Sequence, residues 1–205
     1  MQQVARLAYA AFEGTNGGLP LFTYTFENAT WAVAKHLAAG YLVYSIVERV
    51  RGRGLTVGTV VAVLVGSMGP DLIDKPLTWV GVLGYGRSFA HSLFTTTALL
   101  GVAFLLARRV DRSDLSVAFA AGYLSHILVD MFGEVFGSLP YVDTAFLFWP
   151  VIVKQPIGLD SPPLPVSKTT IFLVILVGAV MRWVLDGMVG VSDAVRLARE
   201  WSNSR

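Results

Sequence analysis

The 205-residue chain contains no cysteine, so disulfides and thiolate metal ligands are excluded and only His, Asp and Glu side chains remain to grip a metal ion. Charge is scarce as well. Lys, Arg, Asp and Glu make up 15% of the residues against 54% hydrophobic ones, and a mean hydropathy of +0.61 is too apolar for a domain that must coat itself in charge to stay in water. The chain also lacks internal repeats, a phosphate-binding glycine loop and a G-x-S-x-G nucleophile element. G-Y-G-R-S at 84–88 does not join a strand to a helix, so it reads as a turn rather than a dinucleotide fingerprint. A net charge of +2 with a pI near 9.0 does not indicate nucleic acid, because the arginines sit in short clusters beside apolar runs. The opening M-Q-Q-V-A-R-L-A-Y-A-A-F-E-G has one arginine and an apolar stretch broken by Glu13, the pattern of a short surface helix rather than of a cleavable signal.

What the chain does have is apolar runs at 28–47, 54–70, 88–107, 115–129 and 169–185, which approach the roughly 20 residues needed to cross a hydrocarbon core. They predict an all-α, multi-pass transmembrane bundle of about five spans. Residues 1–27 form an N-terminal surface segment, 28–187 the transmembrane domain, and 188–205 a C-terminal tail. E-R-V-R-G-R-G at 48–54 and R-R-V-D-R-S-D at 108–114 each carry three arginines. The bias of Arg and Lys toward the cytoplasm puts both clusters inside the cell, together with Arg196, Arg199 and Arg205, and leaves the N-terminus outside. The stretch 133–168 becomes a long outer loop. Its apolar piece T-A-F-L-F-W-P-V-I-V suits a re-entrant or interfacial segment, with Phe146, Phe148 and Trp149 at headgroup level.

This topology brings the scarce polar residues to one depth. His36 lies near the start of the first span, Asp71 and Asp74 close the second, His91 opens the third, and His126 and Asp130 close the fourth. Antiparallel helices set the beginning of one beside the end of the next, so all three histidines of the chain converge at the outer end. His126 and Asp130 are four residues apart, about 6 Å along a helix axis, and project from one face. Ionisable groups inside a span are costly unless paired or coordinated, which makes the cluster a candidate site. Imidazoles and carboxylates suit zinc or, with more carboxylate and water, manganese. Blander readings exist for each residue. A single histidine near a helix end is interfacial or hydrogen-bonded more often than a ligand. Asp71 and Asp74, punctuated by Pro70 and Pro76, read equally as a helix stop and an N-cap. Arg87 reads as an interfacial snorkel or a partner for the carboxylates, and Gly40, Gly122, Ser92 and Ser125 as small residues that let helices pack closely.

The ordered motifs H-x3-G (His36, Gly40), a glycine followed by P-D (66–71), R-S-x-A-H-S (87–92), G-Y-L-S-H-x3-D (122–130) and W-P (149–150) resemble the YdjM-like family of membrane-bound metal-dependent hydrolases. With its P-D-L-x-D-K-P element the chain looks most like the archaeal branch. The resemblance spans about residues 30 to 152. It implies a divalent metal centre, zinc first, formed by His36, Asp71, His91, His126 and Asp130. The resemblance also puts Asp74 beside that centre as a further member, and in the expected mechanism Asp74 is the general base or an orienter, with Asp71 the other candidate for the catalytic carboxylate. Two departures stand out. Many relatives read P-D-x-D where Leu72 and Ile73 here separate Asp71 from Asp74, and Gly86 stands where relatives often carry an additional histidine.

The expected function is a cell-membrane hydrolase in which the metal lowers the pKa of a water and polarises the scissile bond of a lipid or lipid-linked phosphoester at headgroup depth. The expected partners are the bilayer and that substrate, not nucleic acid. The alternatives are a protein that binds or transports a cation or proton without catalysis, and a structural helix bundle. A conduction path needs polar groups on both sides, and the inner runs Y-L-V-Y-S-I-V, T-V-V-A-V-L-V and A-L-L-G-V-A-F-L-L-A are almost wholly apolar.

Overall fold

The computed structural model describes residues 20–135, 144–152 and 168–204. Among these are six α-helices, one 3₁₀ turn and no strand: α1 (Pro20–Val50), α2 (Val57–Trp79), α3 (Leu93–Arg109), α4 (Ser113–Val135), the 3₁₀ turn (Ala145–Phe148), α5 (Lys168–Leu185) and α6 (Val191–Asn203). The chain divides into two compact units, Met1–Ala34 and Lys35–Arg205, and every site residue belongs to the second. The surface helix expected at the extreme N-terminus and most of the outer loop lie outside the described residues. The boundary expected at residue 27 falls within the run of α1.

Local chemistry sets the helix starts. Thr56 and Thr59 exchange backbone and side-chain hydrogen bonds of 3.0 and 3.2 Å, which satisfies two N–H groups at the head of α2. Ser92 caps α3 by accepting from Phe94 N at 3.2 Å while its hydroxyl donates to the Trp149 carbonyl at 2.7 Å, tying the segment after the 3₁₀ turn to the same helix end. The four residues 88–91, expected to begin the third span, are instead part of the turn that precedes α3.

α2 does not stop at Pro70. It runs on to Trp79 with Pro70 and Pro76 inside it, and Asp71 and Asp74 lie on its buried face rather than forming a helix stop and an N-cap. A proline removes only its own N–H from the ladder, and apolar, neighbour-packed helices accommodate that loss. The Thr78 hydroxyl, donating to the Asp74 carbonyl at 2.8 Å, helps satisfy the backbone between the two prolines.

α2 and α4 cross at two glycines. A methyl group added at Gly66 would lie 2.2 Å from the Phe119 carbonyl oxygen, and one at Gly122 would lie 2.1 Å from that of Val63. Only glycine permits such backbone-to-backbone approach. Around this crossing sit Tyr44, Val63 and Ala118 on one side and Tyr123, Ile127, Phe146 and Leu147 on the other. Phe146, expected at headgroup level, is therefore a core residue, whereas Phe148 is exposed.

The distribution of polarity is inverted relative to a water-soluble protein. The buried side chains include His36, Ser45, Glu48, Ser67, Asp71, Asp74, His91, His126 and Asp130, while Ile46, Val61, Val65, Leu105, Leu106, Leu128 and Val177 face outward at more than half exposure. Among the described residues one helix, Val57–Trp79, is by length and composition long and apolar enough to cross a membrane, and Thr170–Leu185 is a shorter apolar helix. α6 has no buried residue and is amphipathic. Val191, Val195 and Trp201 share one side, with Arg196 and Arg199 on the other.

Candidate metal centre

The site is built on four elements of the second unit. α1 supplies His36, α2 supplies Asp71 and Asp74, the turn before α3 supplies His91, and α4 supplies His126 and Asp130. All six side chains are buried. The structure thus gathers every ligand and catalytic candidate named from the sequence.

Asp74 organises the floor. One carboxylate oxygen accepts from Ala90 N at 2.8 Å, and the other accepts from Ser88 N at 2.8 Å and lies 2.7 Å from His91 Nδ1. Both oxygens of Asp74 face N–H donors, an arrangement that directs a proton on His91 Nδ1 toward the carboxylate. This single side chain shapes the turn and fixes the His91 tautomer. His126 is held in the same way from a different source. Its Nδ1 lies 2.6 Å from the Ser67 carbonyl, which can only accept, so that nitrogen also carries the proton.

With each ring neutral and its proton on Nδ1, both histidines would present Nε2 lone pairs inward. These two atoms are 3.2 Å apart. Asp130 Oδ2 lies 3.4 Å from His91 Nε2 and 3.6 Å from His126 Nε2, and Asp71 Oδ1 lies 3.8 Å from each. With the imidazoles neutral, His91 Nε2, His126 Nε2 and Asp130 Oδ2 are electron-rich atoms that repel one another unless a cation stands among them. Donors held about 2.0–2.2 Å from one tetrahedral ion would be about 3.3–3.6 Å from each other, close to the spacing found. The residues fit a metal.

His36 stacks on His126 with ring centroids 3.8 Å apart, and its Nε2 lies 3.4 Å from Asp130 Oδ1. Its Nδ1 is buried without a hydrogen-bond partner. Two overlapping groups could hold an ion, His36–Asp71–His126 and His91–His126–Asp130. They share His126, whose only available nitrogen is Nε2, and one lone pair serves one ion. The two groups are better described as one centre with alternative ligands than as two independent sites.

The outer oxygens of the carboxylates meet cations. Arg87 reaches Asp130 with Nε at 2.9 Å and Nη2 at 3.1 Å, Lys35 Nζ lies 3.9 Å from Asp130, and Lys75 Nζ lies 2.5 Å from Asp71. Of the two readings open for Arg87, the structure places it as the carboxylate partner. Lys75 went unnoticed in the sequence, although its position four residues after Asp71 in a helix was a usable signal.

A second polar group was also missed. Tyr41 and Ser45 of α1 donate to Asp186 at 3.0 and 2.5 Å, Arg182 of α5 donates to Ser45 at 2.8 Å, and Arg182 pairs with Asp186. Tyr41 and Ser45 lie on α1 toward its C-terminal end from His36, in the half expected to be apolar.

No curated protein and no solved structure matches this chain. A family profile described as the YdjM inner membrane protein matches residues 32–198, a stretch that includes every residue of the cluster. An apolar exterior, a helix fit to cross a bilayer and a buried His/Asp cluster accord with that match, and the chain belongs to the YdjM inner membrane protein family.

Proposed function

We propose that this protein is a multi-pass inner-membrane hydrolase whose His/Asp cluster holds one divalent ion, zinc in the first instance, and acts at headgroup depth on a lipid or lipid-linked phosphoester. The observation that carries the reading is the convergence of the His91 and His126 Nε2 lone pairs, each fixed inward by a hydrogen bond at Nδ1. Structural hydrogen-bond networks alternate donors with acceptors. With both rings neutral, this cluster sets acceptor against acceptor, the pattern of a ligand shell.

His91, His126 and Asp130 would hold the ion, with His36 and Asp71 as further ligands. A bound divalent ion supplies Lewis acidity, polarising the scissile group and acidifying water. Asp74 is better suited to orienting His91 than to taking a proton, because both its oxygens are already committed to N–H donors. That leaves Asp71 as the candidate base: Lys75 engages its Oδ2 while its Oδ1 faces the two imidazoles. The inverted polarity supports several crossings, and the arginine clusters favour an outer-side site. Elemental analysis of the purified protein tests the metal. About one zinc or manganese per chain is expected, lost in His126→Ala and His91→Ala. A metal-loaded protein that cleaves no phosphoester, ester or amide across a broad panel would remove the hydrolase reading.

The group formed by Tyr41, Ser45, Arg182 and Asp186 favours a second reading, ion or proton binding or transport, because it extends polarity beyond the cluster. Against it, Arg182 places a fixed positive charge in the path of any cation, and Asp186 is already bonded to three side chains. Metal-dependent uptake into proteoliposomes would reverse the ranking.

A further inference from the structure

The cluster contains an unusual charge inventory. Three carboxylates, Asp71, Asp74 and Asp130, are matched by three cations, Lys35, Lys75 and Arg87, so among the described residues the group is neutral before any ion is added. Lys35 and Arg87 both approach Asp130, and Lys75 approaches Asp71, so the three cations flank the two carboxylates that face the histidines. A site meant only to retain a divalent cation gains nothing from three positive side chains, since each weakens the hold of the carboxylates on the ion. On the reading that a divalent ion binds there, the formal count of these six side chains and the ion leaves two positive charges for an anion to balance.

The positions of the side chains say where the balancing anion goes. Asp130 and Asp71 are 3% and 8% exposed, whereas Arg87 is 38% and Lys75 42% exposed, so the carboxylates make the floor and the cations the lip. Lys35, at 16%, lies between the two. Lysine carries three N–H donors, and the Asp71 contact uses one of those on Lys75. Gly86 adds room beside this lip: a methyl group there would just touch Lys75 Cγ, at 4.0 Å.

We infer that Lys35, Lys75 and Arg87 form an oxyanion subsite over the metal centre, which receives the phosphate group of the substrate and sets the preference for phosphoesters over neutral esters and amides. The inference rests on the metal reading but not on turnover, so binding can test it alone. The full-length protein in nanodiscs, loaded with zinc and with zinc content measured for every variant, is titrated calorimetrically with inorganic phosphate. Wild type is expected to bind phosphate in the zinc-loaded form and much more weakly after chelation. Lys75→Gln and Arg87→Gln are each expected to weaken binding roughly 10-fold or more at unchanged zinc content, with Arg87→Lys recovering part of the loss. Dihexanoyl phosphatidic acid binding more tightly than phosphate supports a lipid headgroup as the source of the anion, and equal binding supports a free phosphate. No phosphate binding to the zinc-loaded wild type would overturn the subsite while leaving the metal reading standing, as would unchanged binding in both glutamine variants. Equal binding with and without zinc would overturn the charge argument. A wild type that takes up no zinc defeats the metal reading and this inference with it. Should Arg87→Gln lose zinc, Arg87 acts through Asp130, and Lys75→Gln together with Lys35→Gln decides the case.

Discussion

Asp74 shows how much one buried side chain can determine. It holds two backbone N–H groups of the turn before α3 and the Nδ1 of His91, so its chemistry reaches the centre through a histidine rather than directly. Asparagine has one acceptor oxygen where aspartate has two, and its NH₂ would face a donor. Asp74→Asn is therefore expected to weaken metal binding about 10- to 100-fold, the usual cost of losing an outer-shell partner of a histidine ligand. Competition with a chromophoric chelator measures it, and unchanged affinity would show that His91 needs no such partner. His126→Ala should be more severe, since that side chain belongs to both potential ligand groups. Complete loss of metal is expected there. Retention of stoichiometric metal would mean that His36, His91 and the carboxylates suffice without it.

At the scale of elements, the site depends on how closely α2 and α4 approach. The Gly66–Gly122 crossing brings the Ser67 carbonyl within reach of His126 and thereby aims its Nε2. Gly122→Leu cannot be accommodated by a rotamer change, because the obstacle is the backbone of Val63 and Ser67. The variant is expected to lose about 2–4 kcal/mol of stability or to fail to accumulate, and to lose metal in parallel. Thermal unfolding in detergent reads the first effect and elemental analysis the second. The Arg182–Asp186 pair joins α5 to α1 through Ser45 and Tyr41. Arg182→Met leaves a part-buried carboxylate with only hydroxyl donors and should cost about 2–3 kcal/mol, whereas Arg182→Met with Asp186→Leu should recover most of that loss. If the double variant unfolds as readily as the single one, the pair acts through something other than charge balance.

For the whole molecule, the decisive quantity is orientation. A chain without cysteine makes every introduced thiol a unique label. Arg51→Cys and Arg109→Cys are expected to resist a membrane-impermeant maleimide added to intact cells, and Gly84→Cys, in the turn that follows α2, to react. The opposite pattern would turn the site toward the cytoplasm and change the substrate pool available to it.

The sequence alone carried the all-α class, the family motifs and the convergence of His36, Asp71, His91, His126 and Asp130, because apolar run length, arginine bias and helical spacing are local properties written along the chain. It misjudged the end of the second run because a proline is read locally as a stop, while its tolerance inside α2 is decided by what packs around it. Phe146 went the same way. An aromatic beside Trp-Pro looks interfacial until Tyr123 and Ile127 are found against it. Only the tertiary structure decided which nitrogen of each histidine faces the centre, since the partners responsible, the Ser67 carbonyl and Asp74, lie 59 and 17 residues away. The same holds for the charge balance. Lys35, Lys75 and Arg87 are ordinary cations in the sequence and become an oxyanion lip only where three elements bring them above the same carboxylates, because Coulomb energy depends on separation in space and a sequence records only separation along the chain.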